Sequence, residues 1–222
     1  MKTLVLSLGG SIIVPEAIDT AFLRRFTEIV IELRETRFVI VCGGGKICRT
    51  YQNVAREIAQ PSNADLDWIG IRATRLNAEL VRSVFGPLAY DKVIHDPSET
   101  IDTDRRIIIG AGFKPGSSTD LRAVQIAERF GADVVINMSN IDYVYSDDPK
   151  QNPGARKLER ISWPDFRRLV GDEWDPGLNM PFDPIASQAA EKAGLQVVII
   201  GNDIGNLENL LNGENFKGTT IS

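Results

Sequence analysis

The residues most able to do chemistry lie between Gly110 and Asp120, in the stretch GAGFKPGSSTD. It contains glycines at 110, 112 and 116, Lys114, and the hydroxyls Ser117, Ser118 and Thr119, and it ends in Asp120. The apolar run Ile107-Ile108-Ile109 before it reads as a buried strand, and residues 121–130 after it read as a helix. A strand that breaks into a Gly-rich loop and re-enters a helix turns several backbone N–H groups, and the positive end of the helix dipole, toward one point. That point suits a phosphate. A plain connecting loop, capped by Ser118 or Thr119 with Asp120 in the first helical turn, fits the same residues. Two similar clusters strengthen the chemical reading: Gly9-Gly10-Ser11 and Gly43-Gly44-Gly45-Lys46.

Each cluster needs a strand before it and a helix after it. Residues 4–8 and 38–42 are apolar and strand-sized. Asp19 can cap a helix in which Phe22, Phe26, Ile29, Val30 and Leu33 share a face. Lys46 opens a helix ending near Ala59. Gln60-Pro61-Ser62-Asn63 reads as a turn, 69–85 as a long helix, 90–95 as a strand and 96–104 as a loop. Gly131 follows the helix 121–130, and 133–137 is the next strand. This alternation predicts an α/β fold with a mainly parallel sheet and helices on both faces. Ligands of such sheets bind beyond the carboxyl ends of the strands, so the three clusters can share one cleft.

Beyond residue 138 the texture changes. Residues 140–154 are polar and rich in turn formers. Ser162 caps a short helix with Pro164 in its first turn. Residues 171–177 read as an acidic turn, and Asp183-Pro184 starts a helix that stops at Gly194. Residues 195–200 form a strand, 207–211 a short helix and 219–221 a last edge strand. A soft boundary near Asn137 divides the chain into parts 1–137 and 138–222, two lobes on one continuous sheet.

The chain has 222 residues, enough for one large α/β domain. Lys and Arg number 25 against 30 Asp and Glu, a formal charge of -5, so no basic excess supports a nucleic-acid partner. A small phosphorylated ligand needs only a few local cations. The apolar runs are strand-sized, so no membrane span is expected. The opening MKTLVLSLGG reads as a first strand and not as a signal peptide. Cys42 and Cys48 are read as unpaired, which fits a reducing, cytoplasmic setting. His95, the one histidine, ends a strand without an identifiable partner, and no chemistry is assigned to it.

Seven segments in order, LSLGGSII, VCGGGKICRTY, GIRATRLNA, PGSSTD, GADVVINMSNID, VYSDDP and GTTI, resemble the amino acid kinase family, in its branch that phosphorylates UMP in archaea. The resemblance runs from Leu4 to Ile221. It implies a three-layer α/β/α sandwich whose first part binds UMP and whose second part binds ATP. The implied reaction is ATP + UMP → ADP + UDP, with Mg2+. The resemblance also implies a homo-oligomer, dimer-based and up to a hexamer. By the same resemblance Gly9, Gly10 and Ser11 lie near the transferred phosphate, and Gly44, Gly45 and Arg49 at the UMP phosphate. Asp67 would contact the ribose, Thr119 the UMP, and Asp120 would organise the transfer centre. Asn140, Tyr145 and Asp148 would hold ATP, with Tyr145 near the base. No residue is assigned as a direct metal ligand.

Each of these residues has a plainer role open to it. Arg49 can be a solvated charge, Asp67 a helix cap, Tyr145 strand packing and Asp148-Pro149 a turn. The chain also departs from the family pattern. Ser7 and Asn140 stand where relatives carry lysines, Tyr143 replaces a glycine and is expected to crowd the nucleotide pocket, and 96–104 is short enough to lack a helix. Some cation must then assist phosphoryl transfer. Lys46 is the first candidate and Lys114 the second, each oriented by an Asp120 carboxylate that the helix dipole keeps ionised. Two alternatives stay open: a same-fold kinase for another small phosphate or carboxylate acceptor, and a non-catalytic nucleotide-binding or storage homologue.

Overall fold

Strand β1 (Lys2–Leu8) buries its last five residues, and β2 (Thr36–Cys42) does the same. Strands buried along such unbroken runs need cover on both faces. The computed structural model, which describes residues 1–173 and 180–222, supplies that cover. After β1 come α1 (Gly10–Ile13) and α2 (Thr20–Glu32); β2 is followed by α3 (Gly45–Ile58) and α4 (Asn63–Phe85). Next are β3 (Ala89–Ile94), β4 (Ile107–Gly110), α5 (Thr119–Phe130) and β5 (Val134–Met138). A small hairpin, β6 (Val144–Tyr145) with β7 (Lys157–Leu158), precedes β8 (Arg160–Ile161) and α6 (Trp163–Val170). The chain then runs through α7 (Pro184–Lys192), β9 (Gln196–Ile200), α8 (Ile204–Leu211) and β10 (Thr219–Ile221).

The main sheet has the order β3-β4-β2-β1-β5-β9-β10-β8. Its pairs are parallel except β9 with β10. Alternation along β1 divides the core in two. Leu4, Leu6 and Leu8 pack with Phe26 of α2, Val81 and Phe85 of α4 and Leu207 of α8. Val5 faces the other way, into a cluster with Val124 of α5, Phe166 of α6 and Ala186 of α7. The result is the expected three-layer α/β/α sandwich.

Several local expectations need correction. Helix α4 begins at Asn63 and not near residue 69, because the supposed turn contains its cap. Ser62 Oγ accepts from Asp65 N–H at 3.1 Å, and Asp65 Oδ2 accepts from Ser62 N–H at 3.1 Å. This is a capping box, so Asp67 sits inside the helix and does not cap it. The four-residue α1 was not foreseen. Strand β10 is not an edge: it lies between β9 and β8, and β8 takes the edge. The polar stretch after residue 140 contains the β6–β7 hairpin.

Other expectations match. Asp19 caps α2 by accepting from Phe22 N–H at 2.9 Å. Residues 95–106 carry no helix, so β3 reaches its parallel neighbour β4 through a loop alone. Arg106, at the loop's end, donates to the carbonyls of Val30 at 2.9 Å and Ile31 at 2.7 Å, tying the end of α2 to the sheet. The expected acidic turn at 171–177 falls partly outside the described residues.

Candidate active site

Strands β1 and β2 stay in register to Leu8 and Cys42, so their glycine loops leave the sheet side by side. Gly9 N–H donates to Met138 O and Gly43 N–H to Leu8 O, both at 2.9 Å. The loops then meet main chain to main chain. A Cβ on Gly10 would lie 2.1 Å from Gly45 N, and Gly45 itself has φ +65°. Only glycine fits both positions. Ser11 follows in α1, half-buried.

Helix α4 holds the other two loops in place. Asn77 Nδ2 donates to Gly43 O at 2.8 Å and Gly44 O at 3.2 Å. Thr74 Oγ1 accepts from Gly112 N–H at 2.9 Å. Arg75 donates to Gly112 O and Phe113 O, both at 3.2 Å. Asp67 Oδ2 accepts from Gly116 N–H at 2.8 Å. Sequence reasoning missed Thr74, Arg75 and Asn77. Their signal was polarity on a buried stripe: Thr74 and Asn77 are both buried among apolar neighbours, and a buried polar side chain needs a partner.

Asp120 is the second residue of α5, whose cap Ser118 accepts from Leu121 N–H at 3.1 Å. Its Oδ1 accepts from Ser7 Oγ at 3.0 Å and its Oδ2 from Asp183 N–H at 3.3 Å. Asp183 in turn caps α7, accepting from Ala186 N–H at 2.6 Å. Three distant segments thus converge on one carboxylate. Burial, and then the nearby Asp183 carboxylate, raise the Asp120 pKa from 3.8 to about 6, against the pull of its two hydrogen bonds. Burial raises Asp183 as well. The expected dominance of the helix dipole is therefore corrected: desolvation wins, although the anion still prevails at neutral pH.

The expected contact between Asp120 and a lysine is not formed. Lys46 Nζ lies 3.0 Å from the Glu16 carboxylate, and both side chains are well exposed. Lys114 is exposed, its Nζ 5.8 Å from the Phe113 ring centre. Arg49 is exposed on α3 without a side-chain partner among the described residues. Thr119 opens α5, half-buried.

On the other side of the sheet's midpoint lies a cleft of about 600 Å³, lined by Asn140, Tyr143, Tyr145 and Asp148 among others. That volume suits a small-molecule ligand. Tyr143 forms part of the wall, with Lys157 Nζ 4.9 Å from its ring centre, and an open cleft persists beside it. Asp148 also serves its turn, accepting from Lys150 N–H at 2.9 Å. His95 is half-buried, and burial followed by the charge of Arg75 lowers its pKa. Cys42 and Cys48 are both free thiols. Among the described residues no group of three or more His, Cys, Asp or Glu is placed to hold a metal, and no helix is long and apolar enough to cross a membrane.

A mainly parallel sheet flanked by helices, with glycine loops at the carboxyl ends of its strands, a half-buried carboxylate at the start of α5 and a separate cleft alongside, defines a three-layer α/β protein. Residues 2–201 match the amino acid kinase family, and the chain belongs to that family. It is 34% identical to a uridylate kinase of Methanospirillum hungatei, covering 100% of this chain and 95% of that protein. It is 33% identical to a uridylate kinase of Pyrococcus abyssi, covering 98% of each. Among solved structures, the uridylate kinase of Archaeoglobus fulgidus superposes with a TM-score of 0.85 at 36% identity, covering 100% of both chains. The UMP kinase of Ureaplasma parvum, at 21% identity, shares the fold with a TM-score of 0.79 over 100% of this chain and 98% of its own.

Proposed function

We propose that the protein transfers the γ-phosphoryl group of ATP to UMP, giving ADP and UDP. The observation that carries this reading is full-length similarity to uridylate kinases at about one-third identity. In the reaction a phosphate oxygen of UMP bonds to the γ-phosphorus while the bond to the β,γ-bridging oxygen breaks, and ADP leaves. Such transfer depends mainly on positioning and charge stabilisation.

In this reading UMP occupies the part formed by residues 1–137. Gly44 and Gly45 offer backbone, Arg49 a charged fork for the phosphate, Asp67 a carboxylate for the ribose, and Thr119 a hydroxyl. ATP occupies the cleft of residues 138–222 with Asn140, Tyr145 and Asp148, and its phosphates extend over Gly9, Gly10 and Ser11. Asp120, fixed by Ser7 and the Asp183 N–H, orients the groups at the transfer point. Lys46 supplies the cation, with Lys114 as second candidate. The exposed pairing of Lys46 with Glu16 is weak enough to leave its ammonium free to swing. Magnesium bound with ATP would neutralise phosphate charge and would be held mainly by the phosphates and water.

A homo-oligomer is supported by exposed apolar side chains on two adjoining helices, Tyr51, Val54 and Ile58 on α3 and Trp68, Leu76 and Val84 on α4. A light-scattering mass equal to one chain would refute it. The free thiols support a reducing, cytoplasmic setting. Coupled ADP release with UMP, CMP, AMP or no acceptor tests the activity. UMP-dependent turnover supports the reading. Preference for another acceptor, or nucleotide binding without turnover, replaces it with one of the two alternatives.

A further inference from the structure

We infer that Arg75 is a positioning residue that sets acceptor selectivity by fixing the main chain of the loop from Gly112 to Gly116; this rests on the UMP kinase reading. Thr74 lies two helical turns after Asp67 on the same face of α4, Arg75 is the next residue round the helix, and all three hold this loop. The loop is pinned at both ends, by Asp67 at Gly116 and by Thr74 and Arg75 at Gly112 and Phe113. The approach is close: a Cβ on Gly112 would stand 2.9 Å from Thr74 Oγ1. Thr74 is committed in turn, donating to Ile71 O at 2.7 Å.

Arg75 differs from an ordinary surface arginine. It forms no salt bridge among the described residues, and its polar contacts are two loop carbonyls. Burial and the charge of Arg72 both oppose its ionisation, so a cation is kept there against its surroundings. Its planar fork reaches two successive carbonyl oxygens, which an ammonium cannot do with the same geometry. The directions of those carbonyls, and of the N–H groups between them, are therefore set by Arg75.

Fixed main-chain groups can tell uracil from cytosine. The uracil edge presents acceptor, donor, acceptor; cytosine presents acceptor, acceptor, donor. A wrong base leaves main-chain groups unpaired, and the penalty is large only when the backbone cannot turn to suit it. Arg75 acts through the loop and need not touch the acceptor.

The test uses the full-length protein and its Arg75→Ala, Arg75→Lys and Thr74→Val variants. Steady-state rates are measured with UMP and CMP at saturating ATP, and with ATP at saturating UMP, alongside melting temperatures. Arg75→Ala should raise KM for UMP about tenfold and cut the UMP-to-CMP ratio of kcat/KM by about as much, with KM for ATP within about twofold. Arg75→Lys should recover part of the loss, and Thr74→Val should shift KM in the same direction. If Arg75→Ala fails to fold, the other two variants decide. Unchanged UMP selectivity, or an equal rise in KM for ATP, overturns the inference. An unmodified protein that makes no UDP overturns the activity reading itself, and the selectivity role falls with it.

Discussion

Replacing Asp120 by asparagine should make the protein more stable at neutral pH while disabling it. The carboxylate is held in the folded state with a pKa of about 6, against 3.8 for an ordinary aspartate. At 1.36 kcal/mol per pKa unit, ionising it in place costs the folded state about 3 kcal/mol relative to the unfolded chain. The sign follows from proton uptake. Between the two values the folded state binds more proton than the unfolded one, so this group's effect on stability worsens as pH rises and is complete above about pH 6. Asparagine is neutral at every pH. Its carbonyl can still accept from Ser7, but its amide cannot accept from the Asp183 N–H, a loss of about 1 kcal/mol. The net gain is about 2 kcal/mol at pH 8, or about 4–8 °C in Tm for a chain of this size. The repulsion from Asp183 is already contained in that shift. The gain should shrink through pH 6, cross zero at about pH 4.5 and reverse below it, where the native carboxyl is itself neutral and only the lost hydrogen bond counts. Catalysis should fall by about 10²–10³. Melting curves from pH 4 to 8.5, run with single-turnover assays, check both parts. A variant less stable than the parent at pH 8, or a stability difference that ignores pH, refutes the reasoning.

Arg49→Ala should weaken UMP binding by about 1.5–3 kcal/mol and leave ATP binding nearly unchanged, as read by calorimetry; equal UMP affinity in the variant rejects the phosphate contact. Lys46→Met should lower single-turnover rates more than Lys114→Met, and the reverse order moves the catalytic cation to Lys114. Gly10→Ala places a Cβ 2.1 Å from the Gly45 nitrogen and should cost more than about 4 kcal/mol, seen as lost soluble protein or a collapsed urea midpoint; near-native stability there would contradict the main-chain packing of the two loops.

The parallel sheet was legible because its signal is local. Buried parallel strands are apolar throughout, and glycine clusters mark where they end, as at Leu8, Cys42 and Gly110. Helix α4 was read short because Ser62 and Asp65 were counted as turn letters, although their spacing is that of a capping box. Strand β10 was taken for an edge because three residues cannot announce their neighbours; its place depends on pairing with β8, some sixty residues away. The environment of Asp120 was the least legible part. Ser7 is 113 residues from Asp120 and Asp183 is 63 residues from it. Neither distance in space nor desolvation is written in a motif, so the dipole argument, local and correct in sign, was outweighed. The direction of Lys46 was missed for the same reason: Glu16 is 30 residues away, and nothing in GGGK points to it.

Strand β5 lies at the boundary proposed near Asn137, with Val135–Met138 laddered to β1 and Val134–Met138 to β9. Bending the sheet at β5 would have to shear both ladders. In the proposed kinase the spacing between the UMP and ATP positions would be set by strand separation, about 4.8 Å per strand. On that proposal the sheet would act as a ruler between donor and acceptor, and any closing motion would come from the loops and helices above it.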